Sequence, residues 1–170
     1  MSENTAFNPG FKNPVMEIKY IKGDATNPVA DGNKIIVHAC NDVGGWGKGF
    51  VNAISAKWKE PEEKYREWYR SGENFSLGKV QFVQVDFDLW IVNMIGLRDI
   101  KYDKAGKPPV RYEAIDEALN KVAAFIKEMK ASVHMPRIGC GLAGGDWNKM
   151  ETIVRKNLSD KGINVIVYDL

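Results

Sequence analysis

Apolar positions along the chain recur with two different periods, and the switches between them outline its elements. Met16, Ile18 and Tyr20 stand against Glu17, Lys19 and Ile21 with a period of two, which predicts a half-buried strand over 16–22 that ends at Gly23-Asp24. A loop through Asn27-Pro28 and Asp31-Gly32 leads to Ile35, Ile36 and Val37, an unbroken β-branched run that predicts a strand covered on both faces over 34–40. Phe50, Ala53, Ile54 and Trp58 fall at helical spacing; Pro61 restarts the helix before Tyr65, Trp68 and Tyr69, and Gly72 ends it. The β-rich runs 80–85 and 89–95, joined by Asp86-Phe87-Asp88, predict a hairpin or tight connection, followed by a loop over 96–109. Ile115, Leu119, Val122, Ile126 and Met129 form the stripe of a helix with acidic residues early and Lys127 and Lys130 late, as the helix dipole favours. A strand over 132–138, a helix over 147–158 stopped by Gly162, and a strand over 163–168 complete the pattern.

Strands alternating with helices predict an α/β fold, with a mixed or mostly parallel sheet covered on both sides and ligands held beyond the carboxyl ends of its strands. Residues 1–15, punctuated by Pro9, Gly10 and Pro14, read as an N-terminal arm, and 16–170 as a single domain. A chain of 170 residues, 44% hydrophobic and 27% charged, suits one core. The net charge of +2 gives no argument for nucleic acid as a partner. No apolar run reaches the roughly 18–20 residues that span a bilayer, and the N-terminus has no signal-peptide core, so a soluble cytoplasmic protein without a membrane partner is expected. Cys40 and Cys140 are expected to be reduced thiols, and no metal or cofactor is expected. Glycine alone is unusual: of 16, several crowd into 44–49 and 139–145, each directly after a strand.

Gly139-Cys140-Gly141-Leu142-Ala143-Gly144-Gly145 links a strand to a helix, where closely spaced glycines let backbone N–H groups converge and the helix start adds its positive dipole end. That combination suits a phosphate, although the same glycines also serve a plain tight turn. Gly139 to Gly144 spells G-x-G-x-x-G, but with one strand left and Asp160 in a helix exit the dinucleotide fingerprint lacks its context. Gly47-Lys48 precedes Gly49 rather than Ser or Thr, so no Walker A loop is present. In the first loop Asn41 or Asp42 could hold a sugar hydroxyl, Lys48 could neutralise phosphate, and Trp46 could stack on or cover a ligand, among Gly45, Gly47 and Gly49. Packing of Trp46 in a mobile turn is the alternative.

Gly23-Asp24, His38-Ala39-Cys40-Asn41 before the first glycine loop, and Met135-Pro136-Arg137-Ile138-Gly139-Cys140-Gly141-Leu142 together resemble a macrodomain, the ADP-ribose-binding module, from about Met16 to Leu170. The branch it resembles includes the terminal ADP-ribose glycohydrolase and the yeast ADP-ribose-1''-phosphate phosphatase. The resemblance implies a three-layer α/β/α fold around a roughly six-stranded mixed sheet. It further implies that Asp24 accepts from the adenine amino group, that Asn41 and the 44–49 loop surround the distal ribose, and that 139–145 hold the diphosphate. Glutamyl-ADP-ribose hydrolases of the branch use a strand-end lysine and a loop aspartate. Here those regions read Asn93-Met94-Ile95-Gly96-Leu97-Arg98 and Leu142-Ala143-Gly144, so that mechanism is not assigned.

Three side chains remain as guides for an attacking water. His38 titrates in the useful range but shares an apolar strand face; Asp146 also suits a helix cap; Asp42 also suits a turn. Cys140 has no histidine within reach along its own strand and reads as a packed thiol rather than a nucleophile. The expected function is hydrolysis of an ADP-ribose derivative, either the 1''-phosphate or ADP-ribose on a modified protein or nucleic acid. A non-catalytic ADP-ribose reader is the alternative.

Overall fold

The structure is a computed structural model and describes residues 14–170. Most of the expected N-terminal arm therefore lies outside the described residues. Six strands form one sheet in the order β1-β6-β5-β2-β4-β3. They are β1 (Lys19–Lys22), β2 (Lys34–Asn41), β3 (Val80–Asp86), β4 (Leu89–Leu97), β5 (Ser132–Met135) and β6 (Val165–Asp169). All neighbours run parallel except β3, which pairs antiparallel with β4 through the expected hairpin. The helices are α1 (Phe50–Ser55), α2 (Glu60–Ser71), α3 (Tyr112–Met129) and α4 (Trp147–Asn157).

Strand alternation sends the two sides of β2 into different layers. Ile35 and Val37 pack with α3 and α4 on one face, while Ile36 and Cys40 pack with α1 and α2 on the other. This is the three-layer α/β/α arrangement with a mixed sheet. The unbroken apolar run of β2 is explained by its central place between β5 and β4. Among the described residues no helix is long and apolar enough to cross a membrane.

Four of the boundaries that differ from the sequence expectation have a hydrogen-bonding reason. The first strand begins at Lys19, because the Met16 N–H bonds the Ser159 carbonyl. The fifth stops at Met135, just before Pro136, which has no N–H for the ladder. The last begins at Val165, because the Ile163 N–H caps the Leu158 carbonyl. Strand β4 continues to Leu97, and its pairing slips beside β2: Cys40 faces Ile95 but Asn41 faces Leu97, leaving Gly96 as an extra residue. A Cβ at Gly96 would lie 2.1 Å from the Ile115 side chain, so the bulge is built around the absent side chain.

Candidate functional site

Strands β2 and β5 are neighbours, so the glycine loops that follow them emerge side by side at the carboxyl end of the sheet. Asn41 organises the first loop from within. Its Oδ1 accepts the N–H groups of Val43 at 3.0 Å and Gly45 at 2.9 Å, and its Nδ2 donates to the Gly45 carbonyl at 2.9 Å. The buried Tyr65 hydroxyl of α2 lies 2.7 Å from the Asn41 carbonyl and 2.9 Å from Oδ1. Arg66 donates to the Gly44 carbonyl at 3.2 Å. Gly44 has φ 78°, and a Cβ there would meet the Tyr69 ring at 2.4 Å. Helix α2 thus holds the loop, and Asn41 acts as its hub.

Trp46, offered by sequence as a surface for stacking or covering, is only 5% exposed and belongs to the core. Its indole donates to Ser55 Oγ at 2.8 Å and packs edge-on against His38 with ring centroids 5.3 Å apart. This is a correction: an indole flanked by His38 and Tyr65 has no face left for a ligand. His38 itself lies beneath the loop, 2% exposed. Asn93 donates through its amide to the Pro61 carbonyl and Gln81, so its Oδ1 accepts at 2.6 Å from His38 Nε2. Burial lowers the imidazole from 6.5 to about 4.

His134 shares that condition. The Val29 N–H donates to the Tyr168 hydroxyl, which donates to His134 Nδ1 at 2.7 Å, and His134 Nε2 donates to Ser132 Oγ at 2.8 Å. Burial takes it from 6.5 to about 4 as well. Both folded-state values lie below the unfolded one, so unfolding takes up protons between them. Stability from both histidines is complete above pH 6.5 and is lost as pH falls toward about 4. Urea midpoints measured across pH 4–7 are expected to decline in that window, and less steeply in His134→Gln.

Asp42 points toward the loop after β4: its Oδ1 accepts the Asp99 N–H at 2.8 Å and its Oδ2 lies 3.7 Å from Arg98. Lys48 is exposed, and the positions beside Gly47 and Gly49 open into free space. Asp24 accepts from the Thr26 N–H and hydroxyl at 2.8 Å each, bonds that hold its carboxyl below the ordinary range. Beyond β5, Arg137 makes two bonds to Asp169, at 2.7 and 3.0 Å, and stacks over the rings of Tyr20 and Trp147. It is a restrained cation next to the Gly23 turn, whose N–H bonds the Asp169 carbonyl.

The second loop closes on itself through the Gly145 N–H and the Gly139 carbonyl, 2.8 Å apart, with φ 72° at Gly139 and 79° at Gly144. Gly141 borders open space, and Leu142 is 71% exposed. The Cys140 thiol donates to the Ile138 carbonyl, and burial pushes it up to about 11, so it stays protonated. Asp146 caps α4, its Oδ1 accepting the Asn148 N–H at 2.9 Å, and its own N–H donates to the Tyr112 hydroxyl. Ala143 is buried with its carbonyl taken by the Val110 N–H. The strand end 93–98 and the loop 142–144 carry neither the lysine nor the aspartate of the glutamyl hydrolases, and the space beside Gly96 is filled by Ile115. Among the described residues no three His, Cys, Asp or Glu side chains gather as metal ligands.

Sequence reasoning missed Tyr65, Arg66 and Tyr69, whose helical spacing marked only an apolar face, and it passed over the segment Arg98 to Pro109. That segment crosses from one glycine loop to the other. The signal was present in the clustered Asp99 and Asp103, which shape it.

No family model matches the chain. A zebrafish protein, chromodomain-helicase-DNA-binding protein 1-like, is 36% identical over 89% of the chain, which spans 15% of that relative's length. An ADP-ribose 1''-phosphate phosphatase of Lodderomyces elongisporus is 26% identical, with 91% of this chain matching 100% of it. A macrodomain protein from Streptomyces coelicolor has the same fold with a TM-score of 0.81 and 51% sequence identity, covering 91% of this chain and 99% of that one. With half of the residues shared along a full-length match, and paired glycine loops at the same end of a six-stranded mixed sheet, the chain belongs to the macrodomain family.

Proposed function

We propose that the protein binds ADP-ribose between the two glycine loops and hydrolyses an ADP-ribose derivative, of which the 1''-phosphate is the first candidate. The observation that carries this reading is that the two glycine loops follow neighbouring strands at one end of the sheet, and that a Cβ at Gly47, Gly49 or Gly141 would meet nothing within 4 Å. Backbone donors there suit a diphosphate without basic side chains. Asp24, with one carboxylate oxygen committed to Thr26, has the other for the adenine amino group. The family-wide match to a named ADP-ribose 1''-phosphate phosphatase supports the same substrate.

Of the three candidate guides for water, Asp146 has the best placement: exposed, at the second loop, and fixed by one oxygen through its cap. Asp42 is occupied with Asp99 and Arg98, and His38 supports the loop through Trp46. Asp146→Ala is expected to lower kcat on ADP-ribose-1''-phosphate by about 100-fold. Its affinity for ADP-ribose by calorimetry changes little, and loss of the cap costs about 1 kcal/mol of stability. The reader alternative is favoured by the missing lysine and aspartate at 93–98 and 142–144; turnover that is absent in the unaltered protein despite ADP-ribose binding decides for it. No binding at millimolar ADP-ribose rejects both. In this reading 16–170 is the working domain, and the two free cysteines suit the reducing cytoplasm.

A further inference from the structure

The segment Arg98 to Pro109 forms a strap whose two ends are fixed together. The Arg98 N–H bonds the Pro109 carbonyl, and Leu97 pairs with Val110. Between them Asp103 closes a turn, its carboxylate accepting the N–H groups of Ala105 and Lys107. Asp99, at φ 65°, donates its N–H to Asp42 and so ties the strap to the first loop. Its side chains then use space that glycines leave vacant. A Cβ at Gly45 would lie 2.7 Å from Ile100, and one at Gly144 would lie 2.6 Å from the Tyr102 hydroxyl. The strap therefore touches both glycine loops at once. Ile100 is 56% exposed and Tyr102 53%, so each presents one side to the loops and the other to solvent.

We infer that Ile100 and Tyr102 are specificity-determining residues: they form the wall met by whatever group is attached to the distal ribose, and they favour a small substituent over a bulky carrier. This rests on the proposed ADP-ribose site. The physical reason is that the strap is anchored at both ends and the inner sides of the two residues already pack against Gly45 and Gly144, so a bulky carrier passes only by turning both side chains out into solvent. A phosphate-sized group needs no displacement of them, whereas a peptide attached at the same carbon must push past these two side chains.

The test compares affinities for free ADP-ribose and for ADP-ribose carried on the serine of a synthetic peptide, a stable conjugate, in the full chain. The wild type is expected to prefer the free ligand. In Ile100→Ala/Tyr102→Ala the ratio of peptide-conjugate to free-ligand affinity is expected to rise about tenfold. Tyr102→Phe, which keeps the wall, is expected to retain the wild-type ratio. Thermal melts establish that each variant is folded. A ratio that does not move in the folded double variant overturns the inference, as does a wild type that binds both ligands equally. Failure of the wild type to bind ADP-ribose at all instead removes the underlying site, so the two failures are distinguishable.

Discussion

Gly145→Ala is expected to weaken ADP-ribose binding by about 100-fold or more while leaving the sheet folded. The added Cβ would lie 2.4 Å from the Gly139 carbonyl oxygen, which is backbone and cannot rotate aside. That same oxygen receives the Gly145 N–H, the bond that closes the second loop. Relieving the contact means opening the loop and scattering the N–H groups on which a diphosphate would depend, since no basic side chain substitutes for them. Gly141→Ala separates two causes: its Cβ meets no protein atom within 4 Å, so the loop keeps its shape and any affinity lost there reports contact with the ligand itself. Calorimetry with ADP-ribose, beside circular dichroism for both variants, checks the pair. Equal affinity in Gly145→Ala and wild type would mean that the diphosphate lies elsewhere.

Asn41→Ala is expected to cost about 2–4 kcal/mol of stability and most of the ligand affinity with it. One side chain serves two backbone N–H groups, one carbonyl and the Tyr65 hydroxyl, all inside a turn that supplies no replacements. Tyr65→Phe keeps the ring in its apolar surroundings and removes only the hydroxyl, so about 1 kcal/mol is expected. The double variant should lose less than the sum, because the two residues share bonds. Urea unfolding of the four proteins gives the coupling directly. Additive losses would show that Asn41 and Tyr65 hold the loop independently.

The regular elements were legible because each carries its own period. The run Ile35 to Val37 already implied a strand covered on both faces, and the stripe from Ile115 to Met129 implied α3 with little ambiguity. The glycine loops were legible too, since glycine density after a strand is a local feature. Sequence spacing could not reach what depends on partners far along the chain. Asn41 read as a sugar ligand or a turn residue, and only its meeting with Tyr65, 24 positions later, makes it a hub. Trp46 reads equally as a plane covering a ligand or as packing in a turn, because nothing local says that α1 and α2 close over it. His38 was balanced between core and catalyst until Asn93, its partner across the β2–β4 ladder, supplied an acceptor.

The extra residue at Gly96 has a geometric consequence for the whole ligand end. Side chains on a strand alternate, and a bulge absorbs one residue so that those beyond it stay in phase with the partner strand. Beyond Gly96, Leu97 is paired with Asn41, and Asp99 two residues further on donates its N–H to Asp42, the residue after Asn41. Removing Gly96 would take up this slack and draw Arg98 and Asp99 toward the sheet, away from their contacts with Asp42. The reach of the outer wall is set by one extra residue stored in the core ladder.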